Sequence, residues 1–242
     1  MGRVVIALPF RLIMLPFYAF LGLLLLLFGV GYFGTLFAQY GIPRDLAIAL
    51  AFYVSILSLA LSPVNVVVHE RVAKVAVPGV DVVYVLGIPY FIPTIRVVEN
   101  KSRVAVNVGG AVIPVSLSLW LIFGVLGPKL LPLSALVVGV TALVSYYASK
   151  PVPGLGIVMS PVIPPLVSLL ISFLVSPGSP YLIPALAYSG AVLGALIGAD
   201  LLHLKDLERT NPPLLSIGGA GTFDGIFISG LLSLFFAYLL LS

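Results

Sequence analysis

Two aspartates stand in apolar surroundings near the end of the chain. Asp200 closes the run Gly198-Ala-Asp200, and Asp224 follows Ile217-Gly-Gly-Ala-Gly-Thr-Phe223. An ionised carboxylate in a bilayer is costly, and such residues face a cavity or a partner. Two carboxylates that meet in a low-dielectric site split their titrations and share a proton. That arrangement activates water for peptide hydrolysis in aspartic proteases. Asp200 and Asp224 are therefore the candidate catalytic pair. His203 lies three residues past Asp200, beside it on a helix, and is the candidate orienting partner. Gly218, Gly219, Gly221 and Gly225 make a poor helix start. They suit a segment whose backbone approaches something closely, such as a substrate chain. Each aspartate also has a plainer reading. Asp200 can pair with His203 or Lys205 at a helix end, and Asp224 can cap free amides at a helix start.

The elements that must hold these residues are membrane helices. The chain has 242 residues, 61% hydrophobic and 8% charged. A soluble domain carries about 25% charged residues, so lipid is the solvent that suits this surface. Apolar runs near the roughly 20 residues needed to cross a bilayer fall at 12–38, 45–62, 111–127, 132–149, 157–175, 181–201 and 217–240. The first run is too long for a signal-peptide core and is read as a retained helix. The expected fold is an all-α polytopic membrane protein of about seven transmembrane helices, a single membrane domain over 1–242.

Lys and Arg orient it. With the N-terminus in the cytoplasm, Arg3, Arg11, Arg71, Lys74, Arg96, Lys101, Arg103, Lys150, Lys205 and Arg209 lie inside. Only Arg44 and Lys129 lie outside. The expected location is the cell membrane, with the C-terminus outside.

Residues 64–109 differ in composition. Asp81 to Leu86, Tyr90 to Val98 and Arg103 to Val108 read as short strands. Gly87-Ile-Pro89 and Glu99-Asn-Lys-Ser102 read as the turns between them. This predicts a small cytoplasmic β-meander between helices two and three, serving as a structural cap. An open edge binding an extended peptide is the alternative.

Two spans are irregular. In the fifth, Pro161, Pro164 and Pro165 each remove a backbone donor, so a straight helix is not expected. The stretch is either a bent packing helix or part of a pore. In the sixth, Gly190, Gly194 and Gly198 form one stripe where another backbone can approach. Asp200 points roughly opposite that stripe. A dyad with Asp224 therefore needs the face opposite the glycines turned toward span seven.

Other chemistries are weaker. There is no cysteine, which excludes disulfides, Fe–S clusters and a thiol nucleophile. With only His69 and His203, no metal site and no cofactor is expected. No basic tract suits nucleic acid, and the glycine clusters do not follow a strand in an α/β unit. The expected partner is the lipid bilayer, with a transmembrane peptide as the candidate substrate.

Four blocks carry a resemblance to a known family. They are Asn107-Val-Gly-Gly-Ala-Val-Ile-Pro114, Lys150-Pro-Val-Pro-Gly-Leu-Gly156, Gly198-Ala-Asp-Leu-Leu202 and Ile217-Gly-Gly-Ala-Gly-Thr-Phe-Asp-Gly-Ile-Phe227. They resemble a prokaryotic membrane-protein family catalogued as domain of unknown function sixteen-fourteen. The resemblance covers most of the chain and implies a multi-pass membrane protein without supplying an activity. A looser similarity is to the presenilin, signal-peptide-peptidase and prepilin-peptidase group. It implies that Asp200 and Asp224 occupy the two catalytic positions. Here Gly221-Thr-Phe-Asp224 replaces the group's Gly-x-Gly-Asp, and Ala199 replaces the tyrosine common before the first aspartate.

Three functions follow from these readings. The first is an intramembrane aspartyl protease using the Asp dyad. The second is a small-solute or ion transporter or channel with Asp224 as the binding carboxylate. The third is a non-catalytic membrane scaffold.

Overall fold

The computed structural model describes residues 4–7, 15–152, 156–204, 214–219 and 225–241. Seven helices and two small sheets occur among them. The architecture is mixed and mostly helical, which corrects the all-α expectation.

Helix α1 (Leu15–Gln39) is about 37 Å long at 1.5 Å per residue. It stops where Gly41 takes φ 90°. The Ile42 amide then reaches the Phe37 carbonyl and the Gly41 amide reaches Ala38, a Schellman ending. Helix α2 (Arg44–Ala60) returns. Helix α3 (Ile113–Trp120) is flanked by π-helical turns at Val108–Val112 and Leu121–Leu126. Then come α4 (Leu131–Ala148), α5 (Ile163–Val175), α6 (Ile183–Ala195, continued by a π-helical turn Leu196–Leu201) and α7 (Gly225–Leu241). Among the described residues, four helical stretches are long and apolar enough to cross a membrane: Pro16–Gln39, Val108–Leu126, Pro128–Ala148 and Pro180–Leu201. Helices α5 and α7 are apolar but shorter.

Helix α6 is the hub, with twelve of its thirteen residues buried. Its glycine stripe lies against α4. A Cβ on Gly194 would sit 2.6 Å from Thr141 Cβ, and one on Gly198 would sit 2.2 Å from the Ala142 carbonyl oxygen. The other face meets α7, where a Cβ on Gly230 would fall 2.8 Å from both Tyr188 and Val192. Phe33 of α1 packs edge-on to Tyr188 and against Phe227 at the centre of the core. At the end away from the sheets, Gln39 Nε2 and Tyr40 Oη both donate to the Tyr181 carbonyl, and Tyr238 Oη donates to Gln39 Oε1.

The prolines of the fifth span do not interrupt a helix. Pro164 and Pro165 sit in the first turn of α5, where a missing N–H costs nothing. Pro165 has no amide to give the Pro161 carbonyl, and the Ser229 hydroxyl of α7 donates to it instead at 3.0 Å. The residues before them form a hairpin of β4 (Lys150–Val152) and β5 (Gly156–Val158).

The expected meander is one long ribbon. Strand β2 (Val64–Val85) pairs antiparallel with β3 (Ile88–Asn107) along nearly its whole length. Leu86 and Gly87 form the tip with φ 52° and 82°, the two positive values a type I′ hairpin turn requires. Glu99 to Ser102, expected as a turn, pairs residue for residue with Lys74 to Arg71. The segment has no Gly or Pro to reverse it, so the strand runs on. Two further strands of this sheet were not anticipated. β1 (Val4–Ile6) pairs antiparallel with β2, and β6 (Leu214–Ile217) pairs parallel with β3. The sheet order is β1-β2-β3-β6.

A polar junction between the sheet and the helices

Span seven was expected from residue 217, but its first described residues belong to β6, and α7 begins at Gly225. Pairing of β6 with β3 sets Ile217 opposite Val106. This brings Gly218 and Gly219 to the point where β3 ends and α3 begins.

Asn107 organises that point. Its side chain caps the first helical turn by accepting the Gly110 amide on Oδ1 at 2.7 Å. An amide N–H can only donate, so this contact also fixes which side-chain atom is oxygen. Nδ2 then faces the Ser62 carbonyl at 2.5 Å, the Gly219 carbonyl at 3.0 Å and Asn65 Oδ1 at 3.2 Å. Asn65 donates to the Pro63 carbonyl, and Ser216 Oγ donates to Asn65 Oδ1. Asn65 and Asn107 are both fully buried, and a satisfied buried network of this kind specifies one arrangement. Gly109 and Gly218 allow it. A Cβ on Gly109 would lie 2.0 Å from the Ser58 carbonyl oxygen, and one on Gly218 would lie 2.4 Å from Ala111 Cβ. Gly218 and Gly219 also hold φ of 85° and 87°.

Asp200 joins the same junction. Tyr188 and Val192, on the face opposite the glycine stripe, meet Gly230 of α7, and Asp200 lies beyond them in the π-helical turn, which packs on α4, β5 and β6. Asp200 Oδ2 accepts the Gly218 amide at 3.0 Å. The π-helical turn at Leu196–Leu201 positions it, and such turns recur at functional sites.

His203 is buried. Its Nδ1 lies 3.1 Å from the Gly198 carbonyl and 3.3 Å from Ser149 Oγ, and its ring stacks on Tyr146 at 4.5 Å. The carbonyl needs a donor, so Nδ1 carries the proton and a neutral ring keeps Nε2 as its acceptor. Gly225 opens α7 with open space where a Cβ would be. Asp224 and Gly221 lie outside the described residues. Among the described residues no three His, Cys, Asp or Glu gather as metal ligands.

Asn65 and Ser216 had not been singled out in the sequence. Asn107 was read only as part of a family block, although an Asn immediately before a helix is a recognisable cap signal.

The architecture is that of a polytopic membrane protein with a buried polar junction at one end. The chain belongs to the family described as Protein of unknown function (DUF1614), whose model matches residues 59–236. No curated protein and no solved structure matches it. The likeness to presenilins therefore has the pattern of residues alone behind it.

Proposed function

We propose that this chain is an aspartyl intramembrane protease, with Asp200 and Asp224 as its two carboxylates. The observation that supports this is the placement of Asp200. It lies in the π-helical turn that ends α6, with one oxygen tied to the Gly218 amide in the segment that leads to Asp224. One carboxylate takes a proton from water as the water oxygen attacks a peptide carbonyl. The other, protonated, gives its proton to the carbonyl oxygen. Their roles then reverse as the C–N bond breaks and the leaving amine is protonated. Gly225, with open space where a Cβ would be, leaves room for the backbone of a transmembrane peptide.

The test is cleavage of a model transmembrane peptide by the purified full chain in liposomes. Asp200→Asn keeps an oxygen for the Gly218 amide, so it is expected to fold and to lose cleavage, as is Asp224→Asn. Undiminished cleavage by both variants overturns the proposal.

A transporter is the second reading, favoured by α5. Its thirteen residues reach only about 20 Å, short of the roughly 30 Å of hydrocarbon. Flanking non-helical backbone at membrane depth must be buried in protein or line a wet cavity. Asp224-dependent uptake of a small cation into proteoliposomes, without peptide cleavage, decides for this reading.

A further inference from the structure

The outer half of the β2–β3 ribbon, residues 76–97, is an apolar two-stranded plate with its two charges on one face. Side chains alternate across a strand, so the register sorts them. One face presents Val80, Val82 and Tyr84 of β2 with Phe91, Ile95 and Val97 of β3. All six are exposed, Ile95 by 78%. The intervening positions on that face are prolines 78, 89 and 93, so the face carries no charge. The other face carries Asp81 and Arg96, the two charges of this half, which form an ion pair with each other, among exposed Val83, Ile88, Tyr90 and Ile92. At the tip Leu86 is 98% exposed and held at φ 52°, an uncommon conformation for a branched apolar residue.

The edges rule out one kind of partner. The pair Val85–Ile88 closes a two-residue turn and exchanges both of its hydrogen bonds. Counting back, alternate pairs point their N–H and C=O outward, and Pro78, Pro89 and Pro93 all fall at those outward positions. The prolines leave the ladder intact and remove edge donors, which blunts strand addition. The expectation of peptide binding at an open edge is not favoured. The broad apolar face is what remains to be covered.

We propose that this face lies on the lipid surface of the membrane that the protein's own helices span. Three observations select lipid over a protein partner. The ribbon is rooted in a bundle with four apolar candidate spans, so a bilayer is always within its reach. Its inner half, 69–75 with 98–104, holds Arg71, Lys74, Lys101 and Arg103 against Glu70 and Glu99, an excess of cations suited to lipid phosphates. The outer half is net neutral, and Tyr84 on this face belongs to the residue type enriched where hydrocarbon meets headgroups.

The chain has no cysteine, so single reporters are unambiguous. The full chain is reconstituted at one copy per lipid nanodisc. An environment-sensitive dye is placed at Leu86→Cys, Ile95→Cys or Val77→Cys, the last on the charged face. A nitroxide attached to the lipid is expected to quench the dye at 86 and 95 strongly and at 77 weakly. Iodide in the water is expected to do the reverse. Val80→Asp with Ile95→Asp, the dye kept at Leu86→Cys, abolishes the lipid quenching while the melting of the helices is unchanged. Dyes at 86 and 95 that stay open to iodide in the nanodisc overturn the proposal. Protection that appears only with two copies per disc also overturns it and assigns the face to a second copy of the chain.

Discussion

Asp200 of α6 and Gly218 of the β6 turn are joined by a 3.0 Å hydrogen bond between carboxylate and backbone amide. The bond ties the end of a central helix to the segment that leads into α7. It needs only the backbone amide of Gly218, and asparagine at 200 keeps an acceptor for it, so Asp200 can be tested without unfolding the protein.

Gly218→Ala is expected to destabilise strongly. Its Cβ would fall 2.4 Å from Ala111 Cβ, at a φ of 85°. Strained backbone and overpacking each cost about 1–3 kcal/mol. Thermal unfolding in detergent should show a lowered midpoint. Adding Ala111→Gly is expected to recover only part of the steric cost, because the backbone N and Cα of residue 111 stay 2.9 and 3.1 Å from the new Cβ.

Asn107→Ala removes a helix cap and the Nδ2 donor shared by the Ser62 and Gly219 carbonyls. A cap contributes about 1 kcal/mol, and each buried group left unpaired costs about 1–3 kcal/mol. The loss should appear as faster hydrogen exchange at Gly110 and in β6. Asn107→Asp keeps the cap oxygen, so Gly110 is expected to stay protected while the turn at Gly219 loosens.

Gly194→Leu is expected to prevent stable folding of the single chain, because α4 backbone lies 3.1 Å from the position of its Cβ. Gly139→Ala on α4 meets nothing within 4 Å. It should be neutral or stabilise by roughly 0.4–1 kcal/mol through a less flexible unfolded chain. The two melting curves in one detergent separate a packing glycine from an incidental one.

The ribbon is expected to loosen in acid. The hydrogen bond and charge of Arg96 hold the Asp81 carboxyl below the usual carboxylate range. A depressed folded value means that the pair stabilises above the unfolded value of about 3.9. The stabilisation is lost as pH falls through the lower folded value. Amide exchange between residues 76 and 97 should rise in that window, and Asp81→Asn should remove the dependence.

Much of this protein was legible in its residues. Composition and the lengths of the apolar runs determined a multi-pass helical bundle, because only lipid suits a chain with so little charge. The repeat Gly190, Gly194, Gly198 announced a close helix contact, because spacing alone puts those residues on one stripe. The partner of that stripe was not legible. Tertiary packing decided that it is α4, and that Asp200 meets the amide of Gly218. Pairing of β6 with β3 was hidden in the same way, since Leu214-Leu-Ser-Ile217 is too short to show its partner and Ile217 read as the start of a span. The polar turn expected at Glu99 to Ser102 is strand, because its partners Arg71 to Lys74 lie some thirty residues away in sequence. Local pattern determines which face of an element is apolar. Which neighbour covers that face is a long-range choice, made here by the fit of glycines to backbone and of Asn107 to the carbonyls around it.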